Sequence, residues 1–314
     1  MIFLPFVATV PFVYDTFLLG QVNVLLLFLI VGMLWLLRAK KPWLAGGALA
    51  LAVAMKAFPL SALAYLIYRR HWQAALGTIL WLVAILVIFP APFRGFERNA
   101  HELELWYRGM LADQSGKSIG QRSEAGFTYK NQSMIAVVHR LTRPIAAGDI
   151  DGVNFNVNVL DLTPKQSQMA GYAAILALGL VYLACMPNRR RQSLMSLRCE
   201  EAMLVLMVVF CSPLAWTYFF CWTLPAWIAI VYFLSDRSRD LAMRRRGWCA
   251  LGVAGAVMIL ALTQAFDHTA QALGVTLWGS VGLFLILGWM MRKTAEENDF
   301  YPSNPVPKRD FQAG

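Results

Sequence analysis

The chain has 314 residues, of which 58% are hydrophobic and only 15% charged, with a mean hydropathy of +0.53. That is too little charge to cover the surface of a soluble domain. The formal charge of +10 suggests nucleic acid, but residues 91–168 hold nine Lys/Arg against eight Asp/Glu, so +9 of it sits in short connectors elsewhere. A spread of that kind excludes a phosphate-tracking surface and leaves no nucleic-acid partner expected.

In chain order, Met1 to Tyr14 is apolar but short for a span and interrupted by Pro5 and Pro11. It lacks the basic start and small-residue cleavage site of a signal peptide, and reads as the end of a helix that begins before residue 1. Six runs without Lys, Arg, Asp or Glu follow: Gly20–Leu37, Trp72–Phe89, Met169–Met186, Leu214–Leu234, Trp248–Phe266 and Leu273–Met291. Each approaches the ~20 residues that cross a hydrocarbon core, where only helices or closed barrels satisfy the backbone. The basic connectors are Arg38-Lys40-Lys41, Arg69-Arg70, Arg189 to Arg191 with Arg198, Arg237 to Arg246, and Arg292-Lys293. By the positive-inside rule they are cytoplasmic.

Two stretches carry basic clusters at both ends. Trp43–Tyr68 therefore goes out and returns, with a break near Lys56-Ala57-Phe58-Pro59, because proline disfavours helical geometry in the residue before it. Glu201–Leu234 does the same around Ser212-Pro213. The expected fold is an all-α polytopic membrane domain over 1–293 with about ten crossings and both termini cytoplasmic. Residues 294–314 are expected to be a disordered cytoplasmic tail. Asp15 to Leu19, the two breaks and the 91–168 loop then share the outer side. Within that loop, residues 99–112 repeat apolar side chains at helical spacing, as an amphipathic surface helix does. Asp113 to Gly126 is polar and suited to a mobile loop, a second short helix covers Ser133 to Leu141, and Gly148 to Thr163 has no clear periodicity.

Lys56 is the most unusual residue, since a lysine in an apolar run costs at least ~2.5 kcal/mol at the bilayer centre. It either meets a headgroup or phosphate at the break or snorkels to the interface. Gln21 and Asn23 open a span with groups that donate and accept hydrogen bonds, for a hydroxyl-rich ligand or for helix contacts. Asn131, Gln132 and Ser133 stand at a helix start, where free backbone N–H groups favour anions, with His139, Arg140 and Arg143 following. Plain capping beside a solvated basic face is the other reading of that triplet, which also matches a glycosylation sequon. Trp216 and Tyr218, in the second break, are either interfacial aromatics or a stacking surface for a sugar or lipid. The cysteines Cys185, Cys199, Cys211, Cys221 and Cys249 show neither disulfide nor metal spacing, so no metal and no cofactor are expected.

These residues form ordered blocks: Gly20-Gln21-Val22-Asn23; Ala45-Gly46 through Ala54-Met55-Lys56-Ala57-Phe58-Pro59 to Arg69-Arg70-His71-Trp72; Asn131-Gln132-Ser133 with Arg140; and Ser212-Pro213-Leu214-Ala215-Trp216. In them the chain resembles glycosyltransferase family 87, GT-C type mannosyltransferases that use a polyprenyl-phosphate donor. The resemblance implies transfer of a hexose, typically mannose, to a glycolipid or glycan acceptor at the outer face of a bacterial plasma membrane. It implies an inverting reaction with a carboxylate base. Family members begin with a further helix and an outer loop carrying a catalytic aspartate, so that base is expected before residue 1. Asp15 is the only acid near the outer surface at the N-terminus, and it does not match the family's position. Where the family has histidines after its Ser-Pro-x-x-Trp block, this chain has Tyr218 and Phe219. A transporter or lipid flippase using the broken helices, and a non-catalytic protein binding lipid-linked sugar, are the other readings.

Overall fold

The computed structural model describes residues 3–108, 124–150, 153–188, 192–260 and 268–300. It is helical almost throughout. Helices α1 (Leu4–Leu18), α2 (Asn23–Arg38) and α3 (Pro42–Met55) lead to a 3-10 turn at Phe58–Ser61 and the short α4 (Ala62–Tyr68). Next come α5 (Trp72–Val83), which ends as a π-helix at Ala84–Ile88, then α6 (Ala91–Arg94), α7 (Phe96–Tyr107) and α8 (Met134–Thr142). A small antiparallel pair, β1 (Gly148–Ile150) and β2 (Val153–Phe155), sets Asp149 opposite Asn154. The remainder is α9 (Pro164–Cys185), α10 (Leu194–Phe210), a 3-10 segment at Thr217–Thr223, α11 (Leu224–Ser235), α12 (Leu241–Leu260), α13 (Thr269–Ala272) and α14 (Val275–Phe300).

The first break forms, with a different local cause from the one expected. The extended residue is Lys56 (φ −148°, ψ 134°), not Phe58, which is already in the 3-10 turn. Pro59 sits in the first positions of that turn, where its missing N–H costs nothing. Glycines show that the chain returns. Gly46 of α3 abuts Ala74, Gly77 and Thr78 of α5 so tightly that a Cβ would lie 2.6 Å from the Ala74 oxygen. Gly77 lies against Trp43, and Gly47 against Trp81. Helices α3 and α5 thus run side by side in the same direction, which requires α4 to bring the chain back. The second break returns too, because Arg198 near the start of α10 lies 5.0 Å over the ring of Tyr232 near the end of α11.

Helix α10 is the centre of the bundle, buried on all faces from Cys199 onward. Around it many large apolar side chains point outward, among them Phe28, Leu80, Leu176, Leu180 and Val253. An apolar exterior on that scale belongs in lipid. Four described helical stretches are long and apolar enough to cross a bilayer: Trp72–Arg94, Pro164–Cys185, Thr217–Ser235 and Val275–Thr294. The other apolar helices, such as Leu4–Leu18 and Asn23–Arg38, are shorter, so ten crossings are not shown by length and composition.

One end of the bundle gathers the arginines. The Arg38 guanidinium pairs with Glu201 (Nε to Oε1 2.8 Å), and Arg69 pairs with Glu200 (Nε to Oε1 2.7 Å). Arg69 also donates to the Pro187 carbonyl, while Gln192 and the Tyr182 hydroxyl bond the Glu200 carboxylate and carbonyl. Arg292 donates to the Ala184 carbonyl.

The 91–168 region is ordered where it is described. The amphipathic helix is α7, beginning at Phe96 rather than residue 99 because Gly95 turns the chain with φ +80°. Asn99 is buried in α7 and donates to the Leu86 carbonyl (2.9 Å) inside the π-helix, tying α7 to α5. Residues 109–123, which include most of the expected mobile loop, lie outside the described residues. Where no periodicity was legible, Gly148–Ile150 and Val153–Phe155 form the β pair. Helix α14 continues past residue 293 to Phe300, so the start of the expected tail is helical; residues 301–314 lie outside the described residues.

Candidate functional site

At the opposite end from the arginines, a cavity of about 830 Å³ opens between α3, α7, α9 and the second break. That is the size of a small-molecule or lipid-headgroup site. Its lining joins Gln21, Lys56, Ser61, Trp216 and Tyr218 with an apolar wall including Leu60, Trp106, Ile135, Tyr172 and Ile175. Lys56 is the one charged side chain among the described lining residues.

Three distant sequence blocks hold that lysine. The turn between α1 and α2 uses Gly20 at φ +59°, a conformation that a Cβ would strain, and so brings Gln21 and Asn23 over the end of α3. The Lys56 Nζ donates to Gln21 Oε1 (3.0 Å) and Asn23 Oδ1 (3.1 Å). It also lies 5.0 Å from the Phe219 ring centre and 5.6 Å from that of Tyr218, within cation–π range. No carboxylate among the described residues pairs with it, in contrast to Arg38 and Arg69. An ammonium has three N–H donors. Two are taken by neutral amide oxygens, which orient the charge without cancelling it. Asn23 is itself buried, its carbonyl accepting from the Trp222 indole (3.0 Å), and it reaches the site through Lys56.

Trp216 and Tyr218 stand together on the wall, ring centres 6.3 Å apart. Asp15 is half-buried on α1, one turn before the lining residue Leu19. Its neighbour Thr16 donates to the Tyr218 carbonyl (3.2 Å). Among the described residues, no Asp or Glu lines the cavity.

Asn131, Gln132, Ser133 and Arg140 lie behind this wall. Each is at most 2% exposed, and their hydrogen bonds are local or to backbone. Ser133 caps α8 by accepting from the Ala136 N–H (3.2 Å). Gln132 donates to the Tyr129 and Gln271 carbonyls. Arg140 donates to the carbonyls of Phe127, Thr128, Asn131 and Ala272 at 2.7–3.1 Å. Burial pushes its guanidinium down to about 9, still charged at neutral pH. His139 is also sealed, and burial, helped by Arg143 beside it, pushes its imidazole down to about 4. Its Nδ1 lies 3.0 Å from the Arg143 Nη1, a donor, so the ring is neutral there.

Sequence reasoning overlooked the other cavity walls and the paired glutamates. Trp106, Ile135, Tyr172 and Ile175 carry no signal beyond apolar periodicity. Glu200-Glu201 did carry one, since two carboxylates leading into a buried apolar helix call for cationic partners.

An apolar bundle with a ligand-sized cavity at one end defines an integral membrane protein with a site at its surface. The sequence model of glycosyltransferase family 87 matches residues 1–213, more than half of the chain, and the chain belongs to that family. It is therefore a membrane glycosyltransferase. No curated protein and no solved structure matches it.

Proposed function

We propose that the cavity binds a polyprenyl-phosphate hexose, with mannose as the sugar, and that the enzyme transfers the hexose to a glycolipid or glycan hydroxyl at the outer face of a bacterial plasma membrane. The observation that carries this reading is Lys56, a cation without a carboxylate partner among the described residues, oriented by two amides into an otherwise uncharged cavity. A phosphodiester on an apolar chain fits it, the phosphate at Lys56 and the first isoprene units along Leu60, Ile135 and Ile175. Trp216 and Tyr218 offer ring faces to the sugar, and Gln21 offers hydrogen bonds. On this reading the basic end is cytoplasmic, in keeping with the positive-inside rule, and the cavity faces outward.

In an inverting transfer, a base takes the acceptor proton and the acceptor oxygen bonds to the anomeric carbon. The bond from that carbon to the phosphate oxygen breaks, and its electron pair leaves on the phosphate. Lys56 neutralises the charge that gathers there. Asp15 is the candidate base within the chain.

The test is incubation of the purified full chain, in proteoliposomes with native lipid extract, with polyprenyl-phosphate mannose labelled in the sugar. Labelled glycolipid or glycan product is expected, and it should disappear in Lys56→Met. Counterflow of labelled donor with no covalent product would overturn the reading in favour of a transporter.

A further inference from the structure

The second break poses a backbone problem. Residues 211–216 belong to no helix, because α10 ends at Phe210 and the 3-10 segment begins at Thr217, yet they sit within the bundle with Ser212 and Ala215 buried. Backbone groups in such a place need protein partners. One side chain supplies two of them, to the Ala215 N–H and the Pro213 carbonyl. The Asn131 Oδ1 accepts from the N–H of Ala215 (3.0 Å) and of Ser133 (3.0 Å). Its Nδ2 donates to the carbonyls of Pro213 (3.2 Å) and Gly126 (2.8 Å). An amide has two acceptor and two donor positions, and all four are filled. Beside it the Gln132 N–H donates to the Ala215 carbonyl (2.7 Å), and Asn131 and Trp216 form a β-bridge.

Asn131 is anchored in turn. Arg140 Nη1 holds the Asn131 carbonyl (2.7 Å) with those of Phe127 and Thr128, while its Nε holds Ala272. With its Nε and Nη1 spent on four carbonyls in a sealed site, and only its buried Nη2 without a partner among the described residues, this fork organises backbone rather than binding an anion. The backbone it organises carries Leu214 and Trp216, both on the cavity wall.

We propose that Asn131, fixed by Arg140, is a positioning residue that holds the 212–216 segment in place as the cavity wall. Its consequence for catalysis rests on the glycosyl-transfer reading above: the donor is seated against a wall registered by an amide that never touches it. Aspartate cannot replace that amide, since it would lose both donations to Gly126 and Pro213.

Cys211 gives a readout independent of turnover, because it lines the cavity at the edge of this segment. Cys249 is exposed near the basic end, and Cys199 is buried in α10. The purified full chain is treated with N-ethylmaleimide, and labelling at each cysteine is followed by mass spectrometry. In Asn131→Ala and Asn131→Asp, Cys211 should label about tenfold faster relative to Cys249, as expected when buried hydrogen bonds are lost. In Arg140→Lys, which keeps the charge but not the fork, about threefold is expected. Cys199 should stay unlabelled. Where transfer is measured, the donor KM should rise by a larger factor than kcat falls. A Cys211 rate within twofold of wild type in these variants would overturn the proposal, and so would parallel labelling of Cys199, because the effect would then be global. Failure of the wild-type chain to transfer sugar would instead refute the catalytic reading, while Cys211 labelling still decides the positioning one.

Discussion

The two ends of the bundle handle buried charge in opposite ways. At the basic end, Arg69 and Glu200 neutralise one another with side chains only 9% and 0% exposed, and Arg38 does the same with Glu201 at the rim. At the cavity end, Lys56 receives only neutral oxygens and aromatic faces. Complete pairing is what a fold needs of an ion in apolar surroundings. Incomplete pairing beside an open cavity leaves part of the charge for a ligand. The contrast separates cations spent within the fold, paired with carboxylates or, like Arg140, sealed among carbonyls, from the one proposed to meet a ligand.

The largest expected effect is at Lys56. Replacement by methionine should lower transfer by about 100-fold or more, the range for losing a group that stabilises developing negative charge. The melting temperature in detergent should fall only slightly, since no buried carboxylate is orphaned and only the Asn23 amide oxygen loses a buried donor. At the basic end the pattern inverts. Arg69→Ala strands Glu200 and should cost about 3–5 kcal/mol of stability. Arg38→Ala should cost less, because the departing side chain is 44% exposed and its removal opens Glu201, itself 9% exposed, to water. Thermal unfolding with activity per folded molecule distinguishes the two kinds of effect, and a collapse of activity in well-folded Arg38→Ala would break the comparison. Trp216→Ala comes next, raising the donor KM by about tenfold if a stacking contact worth about 1–3 kcal/mol is lost.

The smallest effect is a pH dependence at His139. The unfolded imidazole titrates near 6.5 and the folded one near 4, so between these values the unfolded chain binds the extra proton. Stability should therefore fall as pH drops from 6.5 towards 4 and level off below the folded value. His139→Gln should flatten that part of the melting-temperature profile.

The hairpins were legible in the sequence because basic clusters flank both ends of Trp43–Tyr68 and of the 201–234 stretch, and a span cannot have two cytoplasmic ends. Lys56 was legible because charge inside an apolar run is expensive, and its company of Gln21 and Tyr218 followed from placing the breaks on one side. What could not be read was tertiary. Arg69 meets Glu200 across 131 residues and Arg38 meets Glu201 across 163, pairings that no local pattern encodes. Asn131-Gln132-Ser133 announced a helix start correctly. Whether its polar atoms face a ligand or a neighbouring backbone depends on the 213–215 segment that packs on it. Within the expected Lys56–Pro59 break, the extended residue is Lys56 rather than Phe58, because a 3-10 turn accepts proline in its first positions while α3 already ends at Met55.

The most direct test of the division between the two ends is the affinity of polyprenyl phosphate, without sugar, for the purified chain and for its Lys56→Met and Arg38→Met variants. The expected result is a loss of at least about tenfold in Lys56→Met, the scale of a charge-assisted hydrogen bond, with Arg38→Met close to wild type. Equal affinity in all three, or a loss confined to Arg38→Met, would contradict the assignment of Lys56 as the phosphate-binding cation.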